Sequence, residues 1–99
     1  MCGILGLIDF TKQYSKSKFL KNLDLIKHRG PDSTGLETFS HEKYNVFLGH
    51  QRLSIIDVSN NGKQPMLYKD NSIIYNGEIY NFEDLKFNLN NKDFISTSD

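Results

Sequence analysis

Position 2 holds the only cysteine of the chain, and it opens an apolar run, Cys2-Gly3-Ile4-Leu5-Gly6-Leu7-Ile8, that ends at Asp9. Ile4 to Asp9 reads as a buried strand, with Gly3 and Gly6 thinning it where something approaches closely. A thiol is thereby fixed at the entrance to a core strand. Removal of Met1 would leave Cys2 with its thiol and a free α-amine on one Cα. Thiolates are the reactive form of cysteine, and an α-amine is partly neutral base near neutral pH. A nucleophile and its base would then need no histidine partner, as in enzymes that pair a threonine with an N-terminal amine. Gly3 leaves room for a substrate carbonyl to approach the backbone. The alternative use of a lone cysteine is as a small buried hydrophobe.

The rest of the composition mainly excludes. Ninety-nine residues make one small domain at most, or part of one. Twelve basic and twelve acidic residues cancel, which removes the electrostatic case for nucleic acid or a membrane surface as partner. No apolar run approaches the ~20 residues of a transmembrane helix. No basic segment precedes the first apolar run, so a signal peptide is not expected. One cysteine excludes an internal disulfide and fits a reducing cytoplasm. With three scattered histidines, His28, His41 and His50, no metal site is expected.

Downstream, Phe19, Leu20, Leu23 and Ile26 share one face of a predicted helix with Ser17 as its N-cap. It should stop near His28, ahead of Gly30-Pro31. His28 to Gly35 is a dense turn segment, read either as a simple helix stop or as a loop shaping a pocket wall. Strands are predicted at Leu36 to Phe39 and Tyr44 to His50, with the chain continuing extended to Asp57. Further strands are expected at Ser72 to Tyr75 and from Phe94 to Asp99. Between them a second helix is capped by Asn81 and carries Phe82, Leu85 and Leu89 at helical spacing. This order implies an α+β fold with an antiparallel sheet. At this length, burial and chain entropy nearly cancel, so marginal stability is expected.

Attack on an amide carbonyl needs donors for the developing oxyanion and groups that hold the substrate. Asn76-Gly77 offers a side-chain amide beside a backbone N–H that a glycine lets approach closely. The same dipeptide is also the strongest short hairpin signal. Arg52 is one of two arginines among ten lysines, and its guanidinium can grip a carboxylate through two parallel bonds. Its other use is as a solvated arginine, or one paired with Asp57. Asp99 or Glu78 could take an ammonium group, while Tyr75, Tyr80 and Phe82 read as core. Together these groups describe a site for an amino acid with a side-chain amide, which points to glutamine.

Six motifs carry a resemblance that spans the whole chain. They are Met-Cys-Gly-Ile at 1–4, His-Arg-Gly-Pro-Asp-Ser-Thr-Gly at 28–35, Gly-His-Gln-Arg-Leu-Ser-Ile-Ile-Asp at 49–57, Gln-Pro-Met at 64–66, Tyr-Asn-Gly-Glu-Ile-Tyr-Asn at 75–81 and Thr-Ser-Asp at 97–99. In this order and spacing the chain resembles the N-terminal glutaminase domain of the glutamine-hydrolysing asparagine synthetase family, the class II glutamine amidotransferases. The resemblance implies an N-terminal-nucleophile hydrolase fold, a sandwich of antiparallel sheets between helical layers. It implies a γ-glutamyl thioester on Cys2, an oxyanion hole at Asn76 and Gly77, and glutamine-binding positions at Arg52, Leu53, Ser54, Ile55, Ile56, Asn76, Gly77, Glu78 and Asp99. A family glutaminase domain is nearly twice this length and is followed by a synthetase domain. Residues 1–99 are therefore expected to be a partial amidotransferase domain with the synthetase domain absent. No cofactor is expected in this chain. ATP, Mg²⁺ and the acceptor aspartate belong to the missing domain, and homodimerisation is left open. Relatives that amidate another acceptor, such as a surface-polysaccharide sugar, and a non-catalytic fragment are the alternatives.

Overall fold

The computed structural model describes residues 1–89 and 93–99. Strand β1 (Gly3–Asp9) and helix α1 (Lys16–Asp24) are followed by a single 3₁₀ turn over Lys27–Arg29. Strands β2 (Ser33–Ser40) and β3 (Asn45–Arg52) come next. After a second 3₁₀ turn at Asn60–Gly62 come β4 (Met66–Tyr68), β5 (Asn71–Ile73) and helix α2 (Phe82–Asn88). The class is α+β, with a three-stranded antiparallel sheet in the order β1-β3-β2 and a separate β4-β5 hairpin.

β3 is central, paired on one side with β1 from Gly3↔Gln51 to Asp9↔Asn45 and on the other with β2 from Ser33↔Arg52 to Ser40↔Asn45. Strand side chains alternate between faces; the segments around Ser59, Gln64 and Tyr75 cover one face only at the end of β3, over His50 and Arg52, and α1 covers the other. There α1 seats Phe19 and Leu23 on Phe47, with Leu5, Leu7, Tyr14, Ile26 and Leu36 packed around them. The Phe19 and Phe47 rings stack at 5.2 Å. Gly49 makes this close seating feasible, since a Cβ there would lie 2.8 Å from Leu23 Cδ2. β1 is consequently not buried on both faces: Ile4 is 46% and Ile8 57% exposed on the side away from α1. Continuous hydrophobicity cannot tell a two-sided core strand from a one-sided one.

Other expectations shift in detail. The N-cap of α1 is Ser15, whose hydroxyl accepts from Lys18 N at 3.2 Å; Ser17 lies inside the helix. Asp9 supports that entry, accepting from the backbone N–H groups of Thr11 and Tyr14 and from the Thr11 hydroxyl. Those bonds hold its carboxyl below the usual carboxylate range, the Thr11 hydroxyl contributing most. The extended run after β3 stops at Arg52, because the backbone then turns to meet Cys2 and Asp32. The hairpin pairs Met66–Tyr68 with Asn71–Ile73, so the strand expected at Ser72 to Tyr75 begins one residue earlier and ends at Ile73. Asn81 precedes α2 without a side-chain capping bond, and no residue of α2 is buried. Residues 94–99 form no strand; the segment is held by side-chain bonds instead. No helix among the described residues is long and apolar enough to cross a membrane.

Candidate functional site

The C-terminal end of β3 delivers the chain to a cavity of about 420 Å³. Its wall contains Cys2, Arg52, Leu53, Ser54, Ile55, Ile56, Asn76, Gly77, Glu78 and Asp99. Three separate segments are thus brought together: the start of β1, the stretch after β3, and the loop between β5 and α2 with residue 99 beside it.

Cys2 is half-buried, and its sulfur accepts from Leu53 N at 3.3 Å and lies 3.7 Å from Leu53 O. The carbonyl of Cys2 accepts from Arg29 Nε at 3.1 Å, which ties the residue to the 3₁₀ turn after α1. Asp32 supports the same stretch of wall on either side of Leu53. Its carboxylate accepts from Ser54 N at 2.7 Å, and its own N–H donates to Arg52 O at 3.0 Å. The turn segment 28–35 is therefore both a helix stop and a wall support. Gly3 is buried, and its open side faces Ile26 at 3.0 Å from where a Cβ would stand. The room expected there for a substrate is taken up by packing.

Arg52 is 7% exposed, so it is not a solvated surface arginine. It forms no salt bridge with Asp57. Its Nη1 donates to Ser59 O at 2.6 Å and its Nη2 to Asp57 O. Two of the five N–H groups of the fork are thereby spent on main-chain carbonyls, which fixes its plane while leaving donors for a ligand in the cavity.

Asn76-Gly77 lies in the irregular segment between β5 and α2, not in a hairpin turn. Gly77 lies close under the Tyr75 ring: a Cβ would stand 2.6 Å from Tyr75 Oη, so the ring would have to shift to admit one. The backbone of Tyr75 is held at both ends. Its N–H donates to Gln64 Oε1 at 2.5 Å, and its carbonyl lies 3.2 Å from His50 Nε2. Asp99 Oδ2 accepts from Ile79 N at 2.6 Å, and its other oxygen accepts from the Ser98 hydroxyl. Glu78 is exposed at the rim.

Asp57, Gln64, Tyr75, Tyr80, Ser98 and Met1 also line the cavity. Sequence reasoning gave Asp57, Gln64 and Ser98 no role in the site, although each lies in a motif that carried the resemblance. Tyr80 was read as core, yet it is 91% exposed. Asp57 accepts four bonds: from Ser59 N and Oγ, from Ser96 Oγ at 2.8 Å and from Thr97 N at 3.0 Å. These donors, with the Ser59 hydroxyl first, hold its carboxyl far below the ordinary range. Among the described residues no group of three or more His, Cys, Asp or Glu could hold a metal ion.

Chemically, a thiol, a buried guanidinium, the carboxylates of Glu78 and Asp99 and a backbone-plus-side-chain amide pair could accommodate a small zwitterion carrying an amide.

The comparisons with known proteins point the same way. A family model described as "Glutamine amidotransferase domain" matches residues 1–99. The chain is 43% identical over 107 residues to a putative glutamine-hydrolyzing asparagine synthetase 2 of Methanocaldococcus jannaschii, covering 90% of this chain and 21% of that protein. It is 44% identical to glutamine-hydrolyzing asparagine synthetase 1 of Lotus japonicus and 40% identical to asparagine synthetase 3 of Bacillus subtilis, covering 100% of this chain and 17% of each. The chain thus spans about a fifth of the length of the curated relatives it matches. No solved structure matches. With its full length matched by the family, the chain belongs to the glutamine amidotransferase domain family.

Proposed function

We propose that the chain is the glutamine-hydrolysing part of an asparagine synthetase and that Cys2, freed by removal of Met1, is its nucleophile. One observation carries the reading: ten residues spread from position 2 to position 99, each given a role in glutamine hydrolysis from sequence, line one cavity. The volume lies within the range of small-molecule sites. The relatives' names supply the acceptor, aspartate being the acid whose amide is asparagine.

The Cys2 α-amine accepts the thiol proton as sulfur bonds to the side-chain amide carbon of glutamine. The amide oxygen takes up negative charge and accepts from Asn76 Nδ2 and the Gly77 N–H. Collapse breaks the C–N bond, the ammonium returns the proton to the leaving nitrogen, and ammonia departs. Water then attacks the thioester, its proton goes to the amine, and glutamate and the thiol are regenerated. Arg52 holds the α-carboxylate of glutamine, and Asp99, with Glu78 at the rim, holds its α-ammonium. Leu53 to Ile56 provide the wall along the substrate. The fold is proposed to be the N-terminal part of an N-terminal-nucleophile hydrolase, with the nucleophile entering a strand of an antiparallel sheet. ATP, Mg²⁺ and aspartate are assigned to a synthetase domain outside residues 1–99, and no cofactor to this chain.

The test is ammonia release from L-glutamine, set against a simple primary amide lacking the α-carboxylate. Release from glutamine alone, lost in Cys2→Ala, is expected. Release that survives Cys2→Ala, or equal turnover of the simple amide, contradicts the assignment.

A further inference from the structure

His50 is 1% exposed and stands on the central strand, yet the reaction as written gives it nothing to do. Its only partner among the described residues is the carbonyl of Tyr75, 3.2 Å from Nε2. A carbonyl can only accept, so Nε2 carries the proton and the neutral ring has a bare Nδ1. Nδ1 is buried without a partner. A second proton there would find no acceptor, and burial, reinforced by the charge of Arg52, holds the imidazole below its ordinary range against the opposing bond to Tyr75. The ring therefore acts as a fixed neutral donor.

Gln64 completes the grip from the other side. Its Oε1 accepts the N–H of the same Tyr75 at 2.5 Å. Both backbone polar groups of Tyr75 are thus held by side chains from segments far away in sequence, 25 and 11 residues off. The next peptide carries Asn76 and Gly77. This segment lies outside β5 and α2, so no ladder or helix fixes its plane. Donor placement is decisive for an oxyanion, because preorganised dipoles stabilise charge without reorganising.

We propose that His50 and Gln64 are positioning residues for the oxyanion hole: together they clamp Tyr75 and so aim the Asn76 amide and the Gly77 N–H at the developing charge. This rests on the glutaminase reading above, but it assigns work to two residues which that reading leaves idle. Neither residue touches substrate in this role. Their loss should therefore appear in the acyl-transfer step and not in the reactivity of the sulfur.

The test uses the full chain with its single cysteine. Wild type, His50→Leu, His50→Gln and Gln64→Leu are each given L-glutamine for kcat and KM. Each is also given iodoacetamide, which alkylates Cys2 by displacing iodide and develops no oxyanion. His50→Leu and Gln64→Leu are expected to lose ~10²-fold in kcat, the scale of a small misplacement, with KM and the alkylation rate unchanged. His50→Gln, which keeps a donor near the Nε2 position, should restore most of kcat. In the wild-type chain the imidazole ¹⁵N shifts should show Nε2–H and a bare Nδ1 at neutral pH.

Wild-type kcat in both leucine variants overturns the proposal, as does a parallel fall of kcat and alkylation without rescue by His50→Gln. An Nδ1–H tautomer overturns it without any variant. A wild-type chain that is alkylated yet hydrolyses no glutamine overturns the glutaminase reading itself, and the positioning role falls with it.

Discussion

Asp57 holds Thr97 on its carboxylate: Oδ2 accepts the Thr97 N–H at 3.0 Å across forty positions of sequence. The same oxygen accepts the Ser96 hydroxyl at 2.8 Å, and the other binds Ser59. Residues 94–99 form no strand, so this carboxylate does for the segment what a ladder would otherwise do. Asp99, two residues on, thereby reaches the cavity.

Asp57→Asn replaces an acceptor with a donor that faces other donors. Losing a charged acceptor weakens such bonds by enough to matter in binding, so KM for glutamine is expected to rise roughly tenfold, with a smaller change in kcat. Steady-state kinetics separates the two. A fall in kcat alone would assign Asp57 to the chemistry instead.

Asn76→Ala removes one of the two proposed oxyanion donors. Such donors are worth ~2.7–4 kcal/mol, so kcat should fall by ~10²–10³ with KM little altered. Gly77→Ala keeps its N–H but places a Cβ 2.6 Å from Tyr75 Oη, and a kcat defect with unchanged KM is again expected. Full kcat in both would remove this loop from the reaction.

The pH dependence of stability has two limbs. His50 has a lowered folded-state pKa, so below its ordinary value of 6.5 the unfolded chain binds the extra proton first and stability falls with pH. Asp9 and Asp57 also have lowered values, so their contribution is present above the ordinary carboxylate value of 3.8 and is lost as pH falls further. Urea midpoints measured between pH 8 and pH 3 should fall in both windows, and His50→Leu should flatten the upper one. A midpoint that rises on acidification would contradict both assignments.

The buried hydrophobic core among the described residues is Phe19, Leu23 and Phe47. Leu23→Ala is expected to cost ~2–5 kcal/mol, comparable with the whole margin of so small a domain. Circular dichroism should show the variant unfolded at 25 °C. The wild-type chain should melt with a small enthalpy, and a sharp transition of large enthalpy would show burial greater than this core supplies.

Local periodicity made the elements visible. α1 declared itself through Phe19 and Leu23, and β3 through its apolar run, because burial against one neighbour imposes a period on the sequence. β4 escaped notice, since Met66-Leu67-Tyr68 is three residues long and owes its pairing to Asn71–Ile73. The one-sidedness of β1 was equally hidden, as Ile4 and Ile8 are apolar whichever way they face. In the site, residues whose chemistry could be named in isolation were legible: Cys2, Arg52, Asn76. His50, Gln64 and Asp57 were not. Their roles lie in backbone groups of Tyr75, Ser59 and Thr97, and no spacing rule announces which distant N–H or carbonyl a side chain will meet.

The central claim is that Cys2, at a mature N-terminus, attacks glutamine in this cavity. Intact mass before and after exposure to an electrophilic glutamine analogue tests it most directly. Loss of Met1 and a single adduct on Cys2, suppressed by excess glutamine, is the predicted result. A chain that retains Met1 and gains no mass, or an adduct that excess glutamine leaves unchanged, would contradict it.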